Sequence, residues 1–278
     1  MAGERDILRN LAFSIDGHPI STGANSFTVT IGRERLPWKC YEDPGTFHDK
    51  GDWNASVAFK GYGVEAEQKL LSMLGDDEED SSGFLLFLES NTRLSPHATP
   101  GQAALFMTCR TFNVGADSTE VGKIKTFSSE HSNGDGTRPY VGKVVYTNRA
   151  KTPSPLGAGV VTPDEITLLE LAAGYEAVFT VHVTKISGTG TVTVLAEVMS
   201  DTPGFASPLV RATFDLFTNE DPPTGTDVLG PKSQTIVIDG DASAFPGETQ
   251  WTVRFTVTDT DTDGQVEIMA AGVVAAKF

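Results

Sequence analysis

The chain has 278 residues, 39% hydrophobic and 21% charged, with 28 glycines and a formal net charge of −16. This composition excludes a disordered or collagen-like chain, and the acidity excludes tight nucleic-acid binding through counterion release. No run of apolar residues is long enough to predict a membrane-spanning helix.

The charge is uneven, −5 over residues 1–150 and −11 over residues 151–278. The two cysteines, Cys40 and Cys109, lie beside apolar runs. They read as buried free thiols of a protein folded in a reducing cytoplasm rather than as a disulfide framework.

From the N-terminus, "MAGERDILRNLAFSIDG" is charged from residue 4 and lacks the apolar core and cleavage site of a secretory signal. "NSFTVTI" at 25–31 places Phe27, Val29 and Ile31 on one face and Ser26, Thr28 and Thr30 on the other. "WNASVAFK" at 53–60 does the same with Trp53, Ala55, Val57 and Phe59 against Asn54, Ser56, Ala58 and Lys60. A period of two with one apolar face predicts half-buried strands. The intervening "EDPGTFHDKGD" is polar and turn-rich and reads as a loop.

"VEAEQKLLSMLG" at 64–75 predicts a short helix, with Glu65 and Glu67 in the first turn and Gly75 as the C-terminal cap. The acidic run 76–80 follows as a solvated loop or a partner site. Further strands are predicted at 84–89, 103–114, 120–129 and 139–147. The Pro- and Gly-rich stretch after residue 150 reads as a linker. The expected division is therefore 1–150, a linker at 151–164, and 165–278. The last part reads as strands at 175–186, 189–200, 209–217, 233–239, 249–258 and 264–275. "SGTG" at 187–190 is expected to close a hairpin, and the whole is expected to be a β-sandwich of Ig-like or jelly-roll-like kind.

No nucleophile elbow, metalloprotease helix, phosphate loop or dinucleotide fingerprint occurs, so no catalytic set is assigned. The five histidines are scattered, and His182 reads as a strand-face residue. His48, Asp49 and Asp52 sit within five residues and could hold a cation, but their spacing matches no motif with a mechanism. "DTDTDG" at 259–264 matches the start of a calcium loop through Asp259, Asp261 and Asp263, with Ala270 where the bidentate Glu would stand. It reads either as an acidic hairpin tip or as a weak calcium site. No other cofactor is implied.

The order of elements over residues 11–75 is informative. "FSIDGHPIS", the long strand "SFTVTIGRER", the loop with Asp43, Thr46 and Phe47, then Gly51, Asp52, Phe59 and Gly61 resemble the major tail tube proteins of long-tailed bacteriophages with flexible tails. "GQAALFMTCRTFNVG", "EVGKIKTFSSE" and "VGKVVY" resemble the strands that complete that fold. Residues 173–214 with "QWTVRFTVTD" resemble the extra sandwich domain of some tail proteins. Pro44-Gly45 departs from the family pattern.

The resemblance implies a mainly β fold with an N-terminal tail-tube domain bearing one short helix and a C-terminal decoration sandwich. It implies a non-enzymatic virion subunit that stacks as rings, hexameric by analogy with the family, around a channel for DNA. Its implied partners are other copies of itself and the tape measure, tail terminator and distal tail proteins, and its implied place is the virion tail after assembly in the host cytoplasm. Ser26, Thr28, Thr30, Asn54 and Ser56 are then lumen candidates. Asp43, Thr46, Phe47, His48, Asp49 and Asp52 are candidates for an inter-subunit arm. A capsid decoration or head–tail joining protein, and a carbohydrate-binding module using Trp251 and Tyr175, are the alternatives.

Overall fold

Alternating β-branched and aromatic residues dictate the architecture, because such runs gain most when one face of a pleated strand is buried. The computed structural model describes residues 12–15, 17–19, 24–39, 46–62, 82–87, 100–116, 126–133, 138–148, 156–188, 190–219, 228–229, 233–261 and 263–277. Among these residues the chain is built of strands and holds no helix. The expected mainly β fold is thus what is found, while the helix predicted at 64–75 and the acidic run 76–80 lie outside the described residues.

Contacts divide the chain into two compact units. The first comprises Met1–Ser21, Leu85–Phe106 and Val141–Phe278, and the second Thr22–Phe84 and Met107–Tyr140. This grouping does not follow the expected order along the chain. Tyr140–Thr147 (β8) pairs with Gln265–Ala276 (β18), and Gly159–Val161 (β9), inside the expected linker, pairs with Gln250–Asp259 (β17). Val144 and Val145 are both fully buried and need cover on both faces of β8, which composition alone does not reveal.

One sheet of the first unit runs in the order Ser233–Asp239 (β16), Tyr175–Ser187 (β11), β18, β8, Ala103–Ala116 (β6), Ser82–Phe87 (β5), Ala12–Ile15 (β1) and His18–Pro19 (β2). Of β6 and β5, the first unit takes Ala103–Phe106 and Leu85–Phe87. The other sheet runs Ile166–Thr167 (β10), β17, Val192–Asp201 (β12), Phe217–Asn219 (β14) and Val228–Leu229 (β15). β9 lies beside β17, and Leu209–Thr213 (β13) beside β12.

The two sheets enclose one apolar core. It is filled by Phe179, Val181 and Val183 from β11, Val194, Ala196 and Val198 from β12, Trp251, Val253 and Phe255 from β17, and Ile268 and Ala270 from β18. Trp251 is fully buried, its ring 5.5 Å from Phe179 and 6.4 Å from Phe245. Ala177 through Val183 are all buried, so β11 is covered on both faces, and its second face carries Val178, Thr180 and His182. Gly272 lies opposite Phe179, and a Cβ there would come within 2.3 Å of that ring, which explains the missing side chain.

Two predicted hairpins are sheet-to-sheet crossings instead. β11 pairs with β16 and β18, whereas the next strand β12 pairs with β13, β14 and β17. Residues 188–191 therefore carry the chain over the rim of the core. Likewise β17 and β18 belong to different sheets, so "DTDTDG" is a crossing and not a hairpin tip. The two crossings are tied together: Thr260 N donates to Thr191 O at 3.2 Å, and Thr191 N to Thr260 Oγ1 at 3.0 Å. A Gly-rich link satisfies either path; which sheet each strand joins is decided by long-range pairing.

The second unit is a sheet in the order Ala24–Lys39 (β3), Thr46–Tyr62 (β4), Thr126–Ser132 (β7) and the Met107–Ala116 part of β6. Its first two strands are far longer than the alternation predicted. Thr46, Phe47, His48 and Asp49 are not loop residues: their backbone continues β4, in register with Lys39, Trp38, Pro37 and Leu36. Strands of 16 and 17 residues give a ribbon about 50 Å long at roughly 3.3 Å per residue. Polar composition suggested a loop, but a directly opposed strand satisfies the backbone of polar runs such as "TFHDK" at 46–50 as fully as that of apolar ones.

Candidate functional site

The second unit has two unlike faces. Register places Ser26 opposite Lys60, Thr28 opposite Ala58 and Thr30 opposite Ser56 on β3 and β4, and then Lys60 opposite Ser128, Ala58 opposite Glu130 and Ser56 opposite Ser132 on β7. Directly opposed residues share a face, so three strands build one hydroxyl-rich surface. Ser26, Thr28, Thr30 and Asn54 are exposed on it and Ser56 is half-buried. A shallow groove lies along this surface, lined by Ser26, Thr28, Lys60, Ser128 and Glu130. On the other face Ala55, Val57, Phe59 and His131 are buried.

Register puts the five lumen candidates on one face together with Lys60, as the alternation grouped them, and adds Ser128 and Glu130, which the alternation did not connect with them. Only the pairing of β4 with β7 brings these together; the period of two in "TFSSEHS" was the available signal.

The ribbon leaves this sheet at a built junction. β7 pairs with β4 from Tyr62 to Ser56 and ends at Ser132. Asn133 then extends the ladder with its side chain: Ala55 N donates to Asn133 Oδ1 at 2.7 Å, and Asn133 Nδ2 donates to Trp53 O at 2.8 Å. Beyond it the register shifts between Arg33 and Arg35, the mark of a bulge. The Arg33 guanidinium sits 4.4 Å from the Trp53 ring centre, with that of Arg138 6.0 Å away, a cation–π arrangement that stiffens the root. Among the described residues β3 is paired on one side only, by β4, so its far edge is open.

Of the arm candidates, Thr46, Phe47, His48 and Asp49 belong to the ribbon, Asp52 is exposed near its root, and Asp43 lies outside the described residues.

The remaining candidates have plainer explanations. Asp259 accepts Asp261 N at 3.0 Å on Oδ1 and Gly264 N at 2.5 Å on Oδ2, so its carboxylate shapes the crossing. Among the described residues no three acidic, histidine or cysteine side chains gather as a cation would require, Asp259, Asp261 and Asp263 included. His182 is fully buried with Nδ1 3.1 Å from Ser14 Oγ, and burial pushes its imidazole down to about 3. His131 Nε2 lies 2.8 Å from Ser129 Oγ, its ring stacked 5.5 Å from Phe59, and burial lowers it to about 4. Cys109 is a buried free thiol; Cys40 lies outside the described residues. Trp251 is fully buried and Tyr175 half-buried, so the pair does not form the exposed aromatic platform that the carbohydrate-binding alternative needs.

No family model and no curated protein matches the chain. Among solved structures, a chain of the virion of a native gene transfer agent particle is similar at 10% identity and TM-score 0.36, over 49% of this chain and 98% of that one. A chain of the PVC sheath–tube complex of an extracellular contractile injection system, in its extended state, is similar at 10% identity and TM-score 0.38, over 51% and 95%. The Dit protein of phage SPP1, from a hub adsorption apparatus, is similar at 8% identity and TM-score 0.31, over 95% and 98%.

Proposed function

We propose that this chain is a structural subunit of a phage-type tail, assembling with copies of itself into stacked rings, taken as hexameric, around a channel for DNA. The observation that carries the reading is the second unit: a sheet with a polar, exposed face and, among the described residues, a long β3–β4 ribbon that continues past its last third-strand contact. A long open edge invites aggregation unless it is paired, and a ring of head-to-tail copies pairs every edge without leaving one free. The sequence resemblance to tail tube proteins of flexible, non-contractile tails supports the same reading.

In this reading Ser26, Thr28, Thr30, Asn54 and Ser56 face the lumen. Hydroxyls and amides keep the wall wetted, and the net acidity repels phosphate, so DNA passes without sticking. The ribbon carrying Thr46, Phe47, His48 and Asp49 reaches a neighbouring copy in the same ring or the next. The tape measure, terminator and distal tail proteins are the further partners, and the place is the virion tail. The role is mechanical and needs no catalytic group or cofactor.

Negative-stain microscopy with native mass measurement of the purified protein tests the proposal. Rings or tubes with a central channel are expected. A strictly monomeric species at all concentrations, also in the presence of tail-tip components as initiator, would sink it.

A further inference from the structure

The strand edges of the first unit are not equally protected. An edge carries unpaired backbone groups, and proteins blunt it with short strands, prolines or bulges. One end of the longer sheet is β2, two residues ending in Pro19. In the facing sheet β9, β10, β13 and β15 have three, two, five and two residues, and the β12–β13 pairing carries a register shift. The other end of the longer sheet is β16, seven residues without proline, glycine or lysine, paired with β11 along its length.

Register fixes which way the β16 backbone points. Gly240 N donates to Tyr175 O at 2.9 Å, so alternate residues from there, Ile238, Ile236 and Gln234, bond to β11. Thr235 and Val237 turn their N–H and C=O the other way, and among the described residues no backbone group bonds them there. Both residues are exposed, Val237 to 55%. The ends of this edge are acidic. At one end exposed Asp215 is held by Gln234, whose Oε1 accepts Asp215 N at 2.9 Å and whose Nε2 donates to Asp215 O at 3.2 Å. At the other, Asp239 and Asp241 share the single ammonium of Lys277. Residues 213–241 hold six acidic residues and one lysine.

We infer that β16 is a docking edge for an extended, basic segment of another protein, which joins the sheet as a further strand opposite Thr235 and Val237. Main-chain bonds to these two residues supply affinity, and alternate side chains supply selectivity. Val237 shares a face with Val178, directly opposite it, so an apolar residue of the incoming strand packs beside Val237 on that face. Lys or Arg at the ends of the segment meets Asp215 and Asp239. Charge decides against a second copy as the occupant, because a chain of net charge −16 brings like charge to an acidic edge. The edge lies in the first unit, and the inference does not use the ring reading.

The test is fluorescence anisotropy of a dye-labelled seven-residue peptide, alternating threonine and valine between terminal lysines, titrated with the full chain. A glutamate-ended peptide of the same pattern is the comparison. The lysine-ended peptide is expected to bind and to slow hydrogen exchange of the Thr235 and Val237 amides. Val237→Pro removes one outward N–H and keeps the bonds to β11, and is expected to weaken binding about tenfold or more. Should the proline disturb folding, Val237→Lys blocks the edge by like charge in its place. The glutamate-ended peptide is expected to bind about tenfold more weakly than the lysine-ended one, with the gap closing as salt is raised.

A wild-type chain that leaves the lysine-ended peptide unbound, or variants that bind it as the wild type does, would overturn the inference. Equal binding of the two peptides would overturn the basic occupant. So would self-association of the wild type that Val237→Pro abolishes, since the edge would then belong to a second copy.

Discussion

The two units solve the same problem in opposite ways. In the first, two sheets cover each other's inner face, and one strand, β11, is buried on both faces over seven consecutive residues. In the second, one face of β3 and β4 is polar and exposed, and among the described residues β3 is paired on one side only and much of the unit lies in a two-stranded ribbon. The first unit therefore holds its own shape from within. The second leaves a polar face uncovered among the described residues, and its two-stranded ribbon is of a kind that is marginal in water on its own. Under the proposed assembly, that uncovered surface is where copies meet.

The sharpest break of this comparison is Trp251→Ala. The indole is fully buried between Phe179 and Phe245 in the core of the first unit, and its loss is expected to cost about 3–5 kcal/mol. Thermal denaturation followed by tryptophan-independent circular dichroism reads it. A truncation on the exposed face of the second unit, Thr28→Ala, is expected to leave thermal stability within about 0.5 kcal/mol. Comparable losses at both positions would mean that the polar face is not a free surface.

Acid sharpens the comparison, since each unit has a buried histidine among the described residues. His131 in the second unit is lowered to about 4 and His182 in the first to about 3, both by burial. In the unfolded chain an imidazole takes a proton near 6.5. Below that pH the unfolded state binds more protons than the folded one, so stability falls as pH is lowered. The fall runs from about 6.5 to 4 for His131 and continues to about 3 for His182, on the order of 3 kcal/mol or more for each. Asp201, whose carboxylate is held down chiefly by the Ser207 backbone amide, adds its loss only below the ordinary carboxylate range. Urea titrations at pH 7, 5.5 and 4.5 are expected to show the decline, and His131→Asn to flatten it for the second unit alone. No slope above pH 4.5 would mean that neither imidazole stays neutral in the fold.

Most strands were legible because alternation is local: the runs around Val29, Val57, Val253 and Ile268 announce themselves. The polar face was legible for the same reason. What was not legible depends on pairing between distant segments. "SGTG" and "DTDTDG" suit a hairpin as well as a crossing, and only the partners of β12 and β18 decide. The ribbon was hidden because Thr46–Asp52 carries turn-forming residues whose backbone is satisfied by β3. Ser128 and Glu130 joined the polar face through a β4–β7 register that no single stretch encodes.

One device recurs in both units and makes the subtlest test. Asn133, Asn148 and Asn219 each end or follow a strand and copy a ladder step with the carboxamide. Asn148 accepts Ile268 N and donates to Val266 O, both at 2.7 Å, and Asn219 accepts Val192 N at 2.7 Å and donates to Gly190 O at 3.0 Å. Removing two such bonds by Asn→Ala is expected to cost about 1–2 kcal/mol in each case.

The consequence should differ by location. Around Asn148 and Asn219 the bonds join strands that contribute to the first unit's core, so the loss is expected to appear as a lower global melting point with amide exchange little changed locally. At Asn133 the ribbon beyond Trp53 has no third strand among the described residues. There the loss is expected to appear as faster exchange of the Ala55 amide and of the ribbon past it, with the melting point nearly unmoved, because a segment with fewer strand partners opens locally more readily than a packed core does. Equal local exchange after Asn133→Ala and Asn148→Ala would erase the distinction between a closed unit and an unfinished one.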